Sequence, residues 1–254
     1  MSTALTPTRP LSRALALAWA WTGGIAFVAS LLYFLYFYFV LPSRTPPEAP
    51  AFDGRALAID VGLFAVFGLH HSVMARTRAK QRLSRLLPSS LERTCYVWIA
   101  SALFFGLCWW WQPLPGRAYR LDGALAWCLL LTQFAGILVA LRSARTISIF
   151  DLAGIRQAHR GEPALSDHAA AHEMARLETT GPYRAVRHPI YTGWLLIVFA
   201  APDMTINRLA FATLSLAYLV IGIPFEERSL LVEFGAAYRE YARKVRWRMV
   251  PGLY

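Results

Sequence analysis

The block Gly181–Gly193 (G-P-Y-R-A-V-R-H-P-I-Y-T-G) holds the chain's densest set of side chains able to do chemistry. Two arginines, a histidine and two tyrosines stand beside an apolar stretch. Two prolines and two glycines forbid a smooth helix through them. Arginine and tyrosine also belong at membrane surfaces, so the same block reads as an interfacial anchor as well. A second cluster, Glu226-Glu227, directly follows Pro224-Phe225 at the end of another apolar stretch. Adjacent acids beside a membrane-embedded helix end are costly without a cationic partner. The helix dipole disfavours them if the helix stops at Phe225 and favours them if a new helix, Glu226–Lys244, begins there. A third feature is the pair His70-His71, which interrupts the apolar run Leu57–Met74. Histidine at such a depth points to function, and a structural hydrogen bond to a neighbouring helix fits equally.

These clusters must be positioned by membrane helices. Of 254 residues, 56% are hydrophobic and only 16% are charged, against roughly 25% charged in average soluble domains. Mean hydropathy is +0.39. The apolar fraction excludes disorder, and three cysteines exclude a disulfide-rich scaffold. No charge occurs between Arg13 and Arg44, a stretch too long for a cleaved signal core of ~7–15 residues. It is expected to be a retained span, since about 20 apolar residues cross a bilayer. Further spans are expected at Leu57–Met74, Cys95–Trp111, Gly123–Leu141, Ile190–Ala201 and Leu209–Phe225. The last two form a hairpin turning around Asp203–Asn207, either as two short or tilted helices or with one partly re-entrant.

The sequence therefore reads as an all-α, polytopic integral membrane bundle of about six spans with a C-terminal cytoplasmic helix. It forms a single domain over 1–254. Residues 1–141 make a four-span part, 142–189 a cytoplasmic loop ending in the reactive block, and 190–254 the hairpin and final helix. All basic residues except Arg44, Arg55, Arg117, Arg120 and Arg208 fall on one side of these spans. By the positive-inside rule both termini are cytoplasmic. The net charge of +11 thus flanks spans instead of forming a nucleic-acid surface. The hairpin returns Gly181–Gly193 and Glu226-Glu227 to the same face. Arginines and tyrosines opposite paired acids could hold a zwitterionic or cationic cofactor.

The pattern Thr180–Gly193, an apolar hairpin, and then P-F-E-E-R-S-L-L-V-E-F-G-A-A-Y-R-E-Y (Pro224–Tyr241) resembles the C-terminal half of the isoprenylcysteine carboxyl methyltransferase and phospholipid methyltransferase superfamily. Gly68–Arg76, Leu91–Val97 and Phe150–Gln157 are similar to its methanethiol S-methyltransferase (NnrU-like) branch. The resemblance implies an S-adenosyl-L-methionine-dependent membrane enzyme that methylates a small thiol, turning methanethiol into dimethyl sulfide. It implies a bacterial-type inner membrane. It carries Tyr183, Arg187, His188, Pro189, Tyr191 and Gly193, with Glu226 and Glu227, over as the cofactor site. A carboxylate can accept from the cofactor's ammonium or ribose hydroxyls, and arginine can grip its carboxylate. Tyr183, Tyr191 or His188 can stack on adenine or face the sulfonium. Gly193 lets a ligand or a second helix approach the backbone.

A thiol titrating near ~8.5 yields little thiolate at neutral pH, so the site needs a base or a positive field. Candidates beside the acceptor are His70, His71, His188, Arg184 and Arg187, with His70 or His71 plus Arg187 preferred. Asp151, Arg156 and Gln157 could close the pocket or pair on the surface. Asp60 reads as a paired structural acid at the outer end of its span. His168 and His172 share metal-like spacing but read as solvated, inside or beside a short helix at Ser166–Leu177, so no metal is expected. The cysteines read as packing residues, and Trp109–Trp111 as an outer aromatic belt. Pro42–Pro50 reads as an external loop. A small thiol and the bilayer are the expected partners, with no protein partner inferred. Other acceptors (a prenylcysteine carboxylate, a lipid amine, another thiol), a membrane NADPH reductase, and a non-enzymatic subunit or transporter linked to nitrogen-oxide metabolism stand as alternatives. Large aromatics in spans one and three could fill the lateral opening that a lipid acceptor needs.

Overall fold

The computed structural model describes residues 10–41, 54–74, 89–147, 155, 159 and 177–254. The expectations for Pro42–Pro50, for Asp151, Arg156 and Gln157, for His168 and His172, and for Ser166–Leu177 apart from Leu177 lie outside them. Among the described residues, six α-helices and one short strand pair make up the fold. The helices are α1 (Pro10–Phe39), α2 (Gly54–Met74), α3 (Ser89–Trp109), α4 (Gly123–Ile147), α5 (Pro189–Phe199) and α6 (Ile206–Lys244). Strands β1 (Arg117–Arg120) and β2 (Asp203–Thr205) pair antiparallel. The protein is thus an all-α integral membrane protein. Four helices (α1, α2, α4 and α6) are long and apolar enough to cross a bilayer, while α3 and α5 contribute shorter apolar lengths. Ile25, Leu69, Trp127 and Phe134 are exposed on the isolated chain, as lipid-facing side chains should be.

The short helix α5 matters most for the site. Its 11 residues rise only ~16 Å, about half the hydrocarbon thickness. A helix ending at that depth needs partners for its last carbonyls. Gln133 donates to the Ile197 carbonyl at 2.7 Å, and Tyr38 donates its hydroxyl to Val198. The chain then turns through β2, where Arg117 pairs with Asp203 at 2.7 Å. Thr205 caps α6 by accepting from the Arg208 N–H. Buried Arg208 donates to the carbonyls of Tyr38 and Phe39 at the end of α1. Trp111 and the Leu114 N–H both donate to Asn207 Oδ1, at 2.9 and 3.0 Å. Trp111 is therefore buried, and only Trp109 and Trp110 are exposed as belt residues. Asp60 is fully buried and accepts from the Gln112 N–H at 2.7 Å.

Aromatic packing fills the middle of the bundle. The Phe34 ring lies 4.5 Å from Trp194, 5.5 Å from Phe211 and 5.6 Å from Phe104, centroid to centroid. α1, α3, α5 and α6 thereby meet through these rings. Helices α4 and α5 pack backbone to backbone. A Cβ at Gly193 would meet the Gly136 carbonyl oxygen at 2.6 Å and the Ala140 nitrogen at 2.8 Å. Gly193→Ala should therefore force these helices apart, at about 1–3 kcal/mol, and lower the melting temperature in detergent. Gly222→Ala, where a Cβ meets nothing within 4 Å, should leave it unchanged or raised. Equal melting temperatures for the two variants would refute this account of the interface.

The largest departure from the sequence reading lies in α6. It does not stop at Phe225. It continues through Pro224 and past the paired acids to Lys244, with non-helical backbone only at Gly235 (φ 53, ψ −118). At 39 residues its rise is ~58 Å, so only the uncharged stretch up to Phe225 can lie in the membrane. The acids are neither a helix start nor a helix end. Their charge must be balanced by side chains, not by the dipole.

Candidate active site

The reactive block begins as a 3-10 turn, Gly181–Arg184, whose start is held by Glu178 accepting from the Thr180 N–H and hydroxyl. Tyr183 is buried in the turn, and its carbonyl accepts from the Tyr241 hydroxyl at 2.8 Å. The chain then runs alongside the C-terminal tail. Arg187 N–H donates to the Trp247 carbonyl and His188 N–H to the Arg248 carbonyl, at 2.9 and 2.8 Å. His188 immediately precedes α5, and Pro189 opens it, where a missing N–H costs nothing. One turn on, the Thr192 hydroxyl donates to the Met249 carbonyl at 2.7 Å. The tail is thus stitched to the block by backbone and side chain.

The two acids meet this block from α6 and are used differently. Glu227, with 13% of its side chain exposed, is gripped on both oxygens: Arg187 Nε lies 2.6 Å from Oε1 and Arg248 Nε lies 3.0 Å from Oε2. Arg187 also donates to the carbonyls of Val245 and Arg246, at 2.9 and 2.7 Å. Arg248 rests over the Tyr254 ring. Burial raises the Glu227 carboxyl, but hydrogen bonds from His188 and Arg187 and the charges of Arg187 and Arg248 outweigh it, bringing it down to about 2. Glu226 keeps 44% of its side chain exposed. It accepts from the Tyr191 hydroxyl at 2.8 Å. The His188 ring stacks on Tyr191, 5.5 Å apart and 7° from parallel, with Nε2 3.4 Å from Glu227 and Nδ1 3.9 Å from Glu226.

A cavity of about 240 Å3 opens against these groups. Glu178, Arg187, His188, Tyr191 and Glu226 form its polar wall, and Tyr183, Phe234, Tyr238 and Tyr241 much of its aromatic wall. The Tyr238 hydroxyl is buried on that wall. It sits close to Glu227 without a well-formed hydrogen bond. Glu226 also acts electrostatically on Tyr96 of α3 and Tyr218 of α6. Tyr96 bonds His71 Nδ1 at 2.8 Å, and Arg93 lies over the Tyr96 ring at 5.7 Å. His70 stacks on the same ring, and among the described residues its buried ring nitrogens meet no hydrogen-bond partner.

The sequence-derived residues thus sort into three groups. Tyr183, Arg187, His188, Tyr191 and Glu226 line one cavity, with Pro189 and Glu227 directly behind it. His70 and His71 join the same neighbourhood through Tyr96. Two assignments change. Gly193 faces α4, so its missing side chain serves helix packing and not a ligand. Arg184 is exposed at the outer end of the turn and does not line the cavity. Arg187 is committed to Glu227 and two carbonyls, so it fixes the site's shape more than it grips a ligand. Sequence reasoning missed Arg248, Tyr238, Tyr241, Arg93 and Tyr96. Tyr238 and Tyr241 carried a signal in their helical i, i+3 spacing beside the paired acids.

The fold and the site define an integral membrane helical bundle with an acid- and aromatic-walled cavity at the mouth of a helical hairpin. Comparison with known proteins narrows the class. The chain is 36% identical to methanethiol S-methyltransferase 2 of Bradyrhizobium diazoefficiens over 231 residues, 90% of this chain and 87% of that protein. It is 35% identical to the methanethiol S-methyltransferase of Mycobacterium tuberculosis over 213 residues, 81% and 83% of the two chains. It is 31% identical to Nurim of Xenopus laevis over 170 residues, 64% and 58% of the two chains. No model of a known protein family matches the chain, and no solved structure matches it. The chain belongs to the methanethiol S-methyltransferase family.

Proposed function

We propose that this protein transfers the methyl group of S-adenosyl-L-methionine to methanethiol, releasing dimethyl sulfide. The carrying observation is the meeting of His188, Tyr191 and Glu226 around one cavity, in a chain several of whose relatives are named methanethiol S-methyltransferases. The residues fit such a donor. Glu226 offers a half-exposed carboxylate for an ammonium or ribose hydroxyls, and aromatic rings flank the space. When bound, the donor supplies a methyl group on a cationic sulfur. The protein's own residues then have three tasks. Glu226 and Tyr191 hold the donor, and the Arg187–Glu227–Arg248 lattice keeps α5, α6 and the tail in register. The third task falls to the Tyr96–His71 pair, which takes the proton leaving the thiol sulfur as the sulfur–carbon bond forms, with Arg93 favouring the thiolate. Positioning supplies much of the rate of such an in-line displacement. The charge pattern supports both termini, and therefore this cavity, on the cytoplasmic face of a bacterial-type inner membrane.

The test is purified protein with labelled S-adenosyl-L-methionine and a panel of thiols and amines, measuring volatile product. Dimethyl sulfide is expected from methanethiol, with protection by S-adenosylhomocysteine and none by NADPH. No product from methanethiol, with transfer to a lipid amine instead, would overturn the acceptor. The combined His70→Ala, His71→Ala variant should lose about 10²–10⁴-fold in turnover, the usual range for general-base assistance. Full activity would remove both histidines from the mechanism.

A further inference from the structure

A second and larger cavity, about 600 Å3, lies on the other side of Tyr238. It is formed where α6 breaks at Gly235: Arg228 and Leu231 come from before the break, and Arg239 and Arg243 from after it. Glu227 is the one acid on its wall, and both of its oxygens are held by Arg187 and Arg248. Among the described residues no carboxylate of the wall remains for Arg228, Arg239 and Arg243; nearby Glu240 is paired with Lys244 at 2.7 Å and also faces the charge of Arg243. Among the described residues, three cations thus converge on a concave space that lacks a matching anion. The space also sits at the membrane boundary. Residues 209–225 of α6 carry no charge, so Arg228 stands within one helical turn, ~5.4 Å, of the last apolar residue. Leu231 and Val232 beside it are 38% and 87% exposed, an apolar footing that a water-soluble anion does not need.

We propose that this cavity binds the phosphate of an anionic phospholipid, with arginine N–H groups on the phosphate oxygens and Leu231 against the start of an acyl chain. Arginine's planar fork suits phosphate, and basic residues at a membrane surface draw anionic lipid. Free phosphate shares this chemistry but not the apolar footing, so the experiment includes it. The cavity shares Tyr238 and Glu227 with the active-site region, so lipid there would steady the same wall that faces the donor.

The test measures lipid binding by the full chain in detergent, through melting temperature and native mass spectrometry. Phosphatidylglycerol should bind and stabilise, and phosphatidylcholine should not. Arg239→Gln with Arg243→Gln should weaken phosphatidylglycerol binding about thirty-fold, taking each basic residue as worth somewhat under tenfold. Arg142→Gln with Arg145→Gln removes the same charge from the exposed end of α4 and should change binding less than threefold. Arg239→Lys with Arg243→Lys should keep most of the affinity, which also guards against misfolding as the cause. The proposal falls if the α4 variant loses as much as the α6 variant, if the lysine variant falls as far as the glutamine one, or if phosphatidylcholine binds equally. It falls too if inorganic phosphate at the same concentration stabilises as well as the lipid.

Discussion

Glu227→Gln should destabilise the protein by about 3–5 kcal/mol, the usual cost of breaking a largely buried ion pair from one side. The loss comes less from missing attraction than from what is left behind. Arg187, with 10% of its side chain exposed, and Arg248 would keep their charges without a counter-ion. Those arginines tie the reactive block to residues 245–248, so the tail should loosen together with α5. Melting temperature and protease resistance of the tail in detergent measure both effects. The pH dependence gives an independent check. An unfolded glutamate titrates near ~4.3, and Glu227 in the fold is held down to about 2. Its contribution is therefore fully present above the unfolded value and is lost as pH falls through the folded one. The gap in melting temperature between the unsubstituted protein and Glu227→Gln should be constant from pH 7 to 5 and close below about pH 4. A gap that does not change with acidification would mean that Glu227 acts through packing alone.

Much of this site was legible in the sequence because its two halves are local blocks joined by a hairpin. The reactive block and the paired acids each announce themselves by composition, and an apolar hairpin can only return them to one face. What was not legible depends on contacts between residues far apart in the chain. Arg248 reads as one more basic residue beyond the last span. Only the tail's pairing with Arg187 and His188 brings it to Glu227. Arg187 reads as a free cation for a ligand's carboxylate, yet two carbonyls of the tail and Glu227 use its fork. Gly193 permits close approach in either reading, and only the position of Gly136 across the helix pair decides that a helix approaches. The sequence left a stop at Phe225 and a new start at Glu226 open, but the helix runs through Pro224 and past both, because a proline removes only one hydrogen bond and a helix anchored on both sides can continue. The shortness of α5 was legible, but length alone left a tilted span and a partly re-entrant helix both open. Its ending in the bilayer needs Gln133 and Tyr38, which come from α4 and α1.

The adjacent acid should behave in the opposite way. Glu226→Gln is expected to raise the KM for S-adenosyl-L-methionine about 10- to 100-fold, to leave kcat within about threefold, and to leave the melting temperature unchanged. The contrast follows from exposure and partners. Among the described residues Glu226 has no arginine on it; it keeps 44% of its side chain exposed and accepts one hydroxyl proton from Tyr191. A glutamine oxygen can accept that proton as well, so the fold loses little. The variant loses a charge, and a hydrogen bond to a charged group is worth about 1.5–3 kcal/mol, which converts to roughly 10- to 150-fold. The split between KM and kcat then reports what the carboxylate touches. If it holds the donor's ammonium or hydroxyls, those groups keep their charge and position throughout transfer. Binding is then lost equally in ground and transition states, and KM alone rises. If instead it faced the sulfonium, whose charge disappears as the methyl leaves, it would stabilise the ground state more. Its removal would then raise kcat together with KM. A Glu226→Gln enzyme with unchanged KM, or one that melts as low as Glu227→Gln, would overturn the division of labour between the two acids.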